Sequence, residues 1–135
     1  MTYELKPILA MSKPRFIFED LVVWQKAVKF AKDVIDLTEN INTKQKHFRI
    51  IEQIESSSTS IALNIAEGKG RYSKKEYVQF LYIARGSLYE TLTLLIIFQE
   101  KNWIDDNQLE IMKCSADEIG KMLSGLINSI RNSSL

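Results

Sequence analysis

Apolar and polar positions recur along most of the chain in steps of three and four, the period of an amphipathic helix. Leu21, Trp24, Ala27, Val28, Ala31, Val34, Ile35 and Thr38 form one stripe, opposed by Lys26, Lys29, Lys32, Asp33 and Asp36. This predicts a first helix from Asp20 to Glu39, with Glu19 and Asp20 complementing the positive end of its macrodipole. A second helix is expected from Lys44 to Gly68, capped by Asn42 or Thr43. Its first half is charged, through Lys44, Lys46, His47, Arg49, Glu52 and Glu55. Its second half is small and neutral, with Ile54, Ser58, Ile61, Ala62 and Ile65 on one face. A face with so little bulk lets a neighbour come close. Serine and threonine have poor helical propensity, so packing must hold this helix together. Gly68 is expected to end it in the left-handed region, with Gly70 tightening the exit.

Ser73-Lys74-Lys75-Glu76 has the S-x-x-E spacing of a capping box and opens a third helix that runs to Lys101. Tyr77, Phe80, Leu81, Ala84, Leu88, Thr91, Leu95 and Phe98 make its core row. A second row, Val78, Tyr82, Tyr89, Leu92 and Ile96, lies about 100° away. With Trp103, that row reads either as a wide core or as a subunit interface, where aromatic residues are enriched. Asn102 to Ile104 connects to a fourth helix, Asp105 to Arg131, whose Leu109, Met112, Ala116, Ile119, Leu123, Leu126 and Ile130 keep an a/d seam. Pro7 and Pro14 fall in residues 1–17, which read as a tail; residues 18–132 form the bundle and 133–135 a frayed end. The fold class is all-α, an antiparallel up-down-up-down four-helix bundle.

Composition narrows function mainly by exclusion. At 135 residues the chain is one domain. A single Cys114 excludes an internal disulfide, and a single His47 leaves no zinc ligand set. No metal or cofactor is expected. The net charge of +1 gives no global basic field for nucleic acid. No uninterrupted apolar run reaches the ~18 residues of a membrane span, and the start lacks a signal-peptide pattern. The expectation is a cytoplasmic protein with no membrane contact.

Candidate chemistry sits in two places. Asn64, Glu67, Ser87 and Glu90 are polar residues in apolar stretches of helices two and three. They read as a buried hydrogen-bonded cluster that fixes register, or as a carboxylate pair, Glu67 with Glu90. A di-metal bundle site would use Glu-x-x-His motifs, and the chain has none. Ser60 and Ser87 have no patterned base to activate them, so no catalytic residue is assigned and the protein reads as a non-enzyme. Lys69, Arg71, Lys74 and Lys75 surround Tyr72 in the loop between the same helices. They read as phosphate contacts with a stacking ring, or as a solvated loop.

Phe18 to Ala27 (FEDLVVWQKA) resembles the opening signature of the four-helix bundle proteins encoded by 23S rRNA intervening sequences. Gln53-Ile54, Ser60-Ile61, Asn64 to Gly68 and Gly70-Arg71 resemble its second signature, and Gly86-Ser87-Leu88 with Glu90 its third. The likeness runs from residue 18 to about 101; helix four matches in character. It implies an antiparallel bundle that assembles into a ring-like homo-oligomer, a pentamer, with a scaffold or RNA-associated role. A related bundle, the accessory protein of diversity-generating retroelements, binds nucleic acid and partners a reverse transcriptase; this is the alternative reading, with RNA or DNA as partner. Glu55 and Ser56 stand where the family carries a basic pair, which removes positive charge from helix two.

Overall fold

The computed structural model describes residues 13–133. Four helices follow a short 3-10 turn at Ile17–Asp20: α1 (Val22–Glu39), α2 (Phe48–Lys69), α3 (Lys74–Glu100) and α4 (Asp106–Arg131). Residues 1–12 of the expected tail, and 134–135 of the expected frayed end, lie outside the described residues. In the described part of the tail, Phe16 stacks on Phe18 and Phe18 packs on Trp24, so the 3-10 turn is anchored to α1.

Partner registers establish the antiparallel order. Ser60 on α2 meets Ser87 on α3, and Ser57 meets Thr91, so numbers on one helix rise as those on the other fall. Arg85 meets Ser124 and Gln99 meets Asp106 in the same sense between α3 and α4. The α2–α3 pair is the most extensively packed, and α1 against α4 closes the ring, helped by the Lys26–Glu118 ion pair. The core that all four surround is built from Phe30, Ile61, Leu81, Leu95, Phe98 and Leu123, with their fully buried neighbours.

The seam of α4 is buried as the pattern predicts from Leu109 to Leu123; beyond it Ile127 takes the buried position, with Leu126 and Ile130 half-buried beside it. The core stripe of α1 keeps Ala27, Ala31, Val34 and Thr38 buried, as predicted, and is wider on one side than the pattern suggests. Val23, Ala27, Phe30 and Val34 face inward, and Val28 is exposed. The first helix carries two adjacent apolar rows at helical spacing, and only the placement of α4 decides which one is core. By length and composition α3 could cross a membrane, with an 18-residue window of mean hydropathy 1.3. In this fold one side of it is the centre of the bundle.

Two helix ends differ from expectation. α2 starts at Phe48, not Lys44, and His47 precedes it in a left-handed conformation. Asn42 and Thr43 do not cap the helix. The Asn42 side chain accepts from the Lys44 amide, and the Thr43 hydroxyl donates to the Lys46 carbonyl, so both shape a preceding turn. At the other end, Gly68 is helical and no described glycine has positive φ. Gly68 serves close packing instead: a Cβ there would lie 2.7 Å from the Cβ of Phe80 and 3.1 Å from the Tyr77 ring. At the end of α3 the left-handed residue is Asn102. The Trp103 amide donates to Phe98 and the Asn102 amide to Gln99, a Schellman motif completed by the Trp103–Phe98 ring contact. Both predicted starts hold: Ser73 accepts from the Glu76 amide, and Asp105 and Gln108 cap each other reciprocally.

The glycines give a direct test. Gly68→Ala is expected to lower stability by about 1–3 kcal/mol through overpacking against α3. Gly125→Ala, where no atom lies within 4 Å of the new methyl group, is expected to raise it by about 0.5–1 kcal/mol. Urea titration of both variants reads the two signs.

Candidate functional site

The four predicted polar residues divide into two sets. Ser57, Ser58 and Thr91 are buried, and Ser60, Asn64 and Ser87 are half-buried, all along the α2–α3 seam. The Ser57 and Thr91 hydroxyls are 2.7 Å apart, and Thr91 also donates to the Ser87 carbonyl. Ser60 and Ser87 are 2.9 Å apart, and the Asn64 amide donates to both the carbonyl and the hydroxyl of Ser60. Asn64 and Ser87 therefore join one hydrogen-bonded seam, as the register reading proposes.

Glu67 and Glu90 do not join it, which corrects the expectation of a single buried cluster. Both are exposed. Glu67 pairs at 2.9 Å with Arg71, just past the end of α2, and Glu90 accepts a long 3.4 Å contact from Gln53. The helical phase explains this. Residues 57, 60/61 and 64 point into the seam, and position 67 has drifted past its edge.

The basic loop is ordered by its own side chains. Arg71 lies 4.6 Å over the Phe80 ring while it holds Glu67, and Lys69 lies 5.7 Å over the Tyr77 ring. Lys74 donates to Ser133 at the end of α4. Lys75 is exposed, and the Tyr72 ring is fully exposed on the rigid turn between two helix ends. Beneath the loop, the Tyr77 hydroxyl is buried and has no hydrogen-bond partner among the described residues. Burial pushes its pKa up.

The second row of α3 also divides. Val78 is core, and Leu92 and Trp103 pack against the core, so these three leave the proposed interface. Tyr82, Tyr89 and Ile96 stay exposed one heptad apart, joined by Ile83 and Ile97. The Tyr82 hydroxyl accepts from Arg131, and the Arg85 guanidinium lies 5.0 Å over its ring. Between Ile83 and Glu90, Gly86 leaves a notch with no atom within 4 Å of where a Cβ would sit.

A second apolar face is absent from the sequence reading. Phe18, Trp24 and Val28 line a shallow trough with Thr59, Ala62, Leu63 and Ala66. Leu63 is 65% exposed within an otherwise small and neutral stretch. That isolated bulk, off the Ile54–Ile61–Ile65 face, is the signal that could have found it.

The model of the 23S rRNA-intervening sequence protein family matches residues 19–125. A crystal structure from Bacteroides thetaiotaomicron, of a protein with unknown function from the S23 ribosomal protein family, aligns with a TM-score of 0.73 at 31% sequence identity, covering 78% of this chain and 98% of its own. None of the curated proteins matches.

The seam yields a coupling prediction. Thr91→Val removes the cross-helix partner of the buried Ser57 hydroxyl, which keeps its bond to the Ile54 carbonyl, and is expected to cost about 0.5–1.5 kcal/mol. Ser57→Ala removes the same cross-helix bond, so the double variant should lose less than the sum of the single losses. A double-mutant cycle by urea denaturation measures that difference.

Proposed function

Because the chain belongs to the 23S rRNA-intervening sequence protein family, we propose that it works without catalysis, as a cytoplasmic scaffold that assembles with itself and contacts RNA through the 69–75 loop. The observation that carries this reading is the presence of two separate exposed apolar faces on one small bundle. One is the Tyr82–Tyr89–Ile96 stripe on α3, and the other is the Trp24–Val28–Leu63 trough between α1 and α2. A closed ring of identical subunits joins two different surfaces of each copy. The two faces lie on different sides of the helix ring, as such an arrangement requires. Five copies is the number the family resemblance implies. In this reading the apolar outside of α3 meets a neighbouring subunit, not lipid.

Ring assembly also gives the loop its reach. One copy offers few free cations at the loop, since the Arg71 charge is paired with Glu67. Repeated around a ring, Lys69, Lys75 and the exposed Tyr72 form a circle of phosphate contacts and stacking rings. The absence of catalysis is supported by how the candidate groups are engaged. Ser60 and Ser87 bond to each other and to Asn64, not to a base.

Assembly is tested by light scattering at tens of micromolar. The wild-type protein is expected at a multiple of 15.6 kDa. Leu63→Glu alone and Tyr89→Glu with Ile96→Glu should each give smaller, still helical species; a monomeric wild type overturns the scaffold. The loop is tested separately by RNA titration. Tyr72→Ala with Lys75→Gln is expected to weaken binding at least tenfold without changing the mass.

A further inference from the structure

The end of the bundle opposite the 69–75 loop carries a second groove, which neither the sequence pattern nor the family match assigns. It is bounded by His47, Phe48, Arg49 and Ile50 at the start of α2 and by Ile97, Lys101 and Trp103 around the end of α3. Its volume is about 800 Å³, towards the upper end of small-ligand sites. α2 spans 22 residues, which puts this groove roughly 33 Å from the loop along the bundle.

The lining is chemically one-sided. The floor is apolar: Ile50, Ile97 and the Trp103 indole, which touches both the Phe98 and His47 rings at about 5 Å. The Phe48 ring is 63% exposed at the edge, and Ile97 is 41% exposed. The polar lining is Arg49, Lys101 and the His47 imidazole, with no carboxylate among the lining residues. From Asn40 to Ile51 the sequence holds Lys44, Lys46, His47 and Arg49 and no acid. The occupant that complements this surface is anionic along one edge and flat and apolar along the other.

We propose that this groove binds single-stranded nucleic acid, with a base lying on Phe48 over the Ile97–Trp103 floor and the flanking phosphates on Arg49 and Lys101. The chemistry separates this occupant from its rivals. Duplex nucleic acid hides its base faces, so it leaves the exposed Phe48 unused. An acidic peptide satisfies the cations but lacks a rigid planar group for the ring. Base stacking on an exposed aromatic beside a cation is the sequence-tolerant mode of single-strand recognition. Phe48 and Arg49 are adjacent, at the first two positions of α2, and Lys101 lines the same groove just past the end of α3. The groove and the 69–75 loop lie at opposite ends of the bundle, so a strand long enough to reach both loses affinity when either site is removed.

The test uses the full-length protein and fluorescence anisotropy of a labelled oligouridylate, with a hairpin duplex of equal charge and a poly-aspartate peptide as competitors. Phe48→Ala, and Arg49→Gln with Lys101→Gln, are expected to raise the Kd for the single strand at least tenfold each. These positions lie at the surface, and circular dichroism should report unchanged helicity. The double charge variant should also flatten the dependence of log K on log salt by about 1.4, at ~0.7 per lost phosphate contact on a single strand. Tyr72→Ala with Lys75→Gln separates the two sites. If only the loop variant loses binding, the groove proposal falls; if only the groove variants do, the loop reading falls. Poly-aspartate displacing the RNA while itself binding more tightly overturns the proposal in favour of a peptide site, and equal affinity for the duplex overturns the stacking contact.

Discussion

The close approach of α2 and α3 is the constraint on which the rest of the bundle depends. Along this seam α2 presents serine, alanine and glycine where a bundle helix more often presents leucine. The two backbones come near enough for hydroxyls to bond directly across the interface, at Ser57–Thr91 and Ser60–Ser87. At its far end the approach is tighter still, with Gly68 under Phe80. The hydroxyls must find partners once buried. They also favour one register, because a slip of one turn would keep at most one hydroxyl pair, Ser60 with Thr91 or Ser57 with Ser87, and leave the other serine facing Leu95 or Ile83. Small residues alone would allow several registers; the polar pairs select one.

That approach sets the surface. With α2 drawn in, α3 packs between α2 and α4 and is apolar around more of its girth than the core can cover. Its surplus emerges as the Tyr82–Tyr89–Ile96 stripe, flanked by Ile83 and Ile97. The small side of α2 cannot fill the angle between α1 and α2 either, so Leu63 and Val28 are left at the rim of a trough. The two exposed apolar faces thus follow from one packing choice, and the assembly proposed for this protein uses both.

Much of this was legible in the sequence, for reasons that differ by element. The α4 seam was readable because its 3/4 alternation is unbroken and flanked by charge, so one phase stands out. α1 was readable as a helix with Ala27, Ala31, Val34 and Thr38 inward, but not in the width of its stripe: Val23 and Phe30 lie beside Trp24, Val28 and Ala31, and hydrophobicity alone cannot rank adjacent rows. The capping box at Ser73 and the acids at Asp105 announce their helices because a side chain does the capping. The start of α2 has no such sign, since Asn42 and Thr43 bond within the preceding turn and the helix begins after a left-handed histidine. Gly68 was singled out correctly but for conformation, whereas its use is steric. Glu67 and Glu90 looked buried because their neighbours are apolar, yet each sits just outside the stripe, where a carboxylate stays in water.

The left-handed residues outside glycine carry a consequence for how the molecule opens. All those among the described residues, Lys44, Gln45, His47 and Asn102, lie at one end of the bundle. Lys44, Gln45 and His47 each hold roughly 1–2 kcal/mol of backbone strain, in a conformation that Asn102 tolerates better. The first turn of α2, at that same end, has no side-chain cap and no acid. The opposite end has the Ser73 cap, the Gly68 contact and two guanidinium or ammonium groups seated on rings. Local opening should therefore be polarised along the bundle axis. Amide protons at the start of α2 would exchange with solvent well before those at its close, and the helices would unzip from the strained end towards the glycine contact.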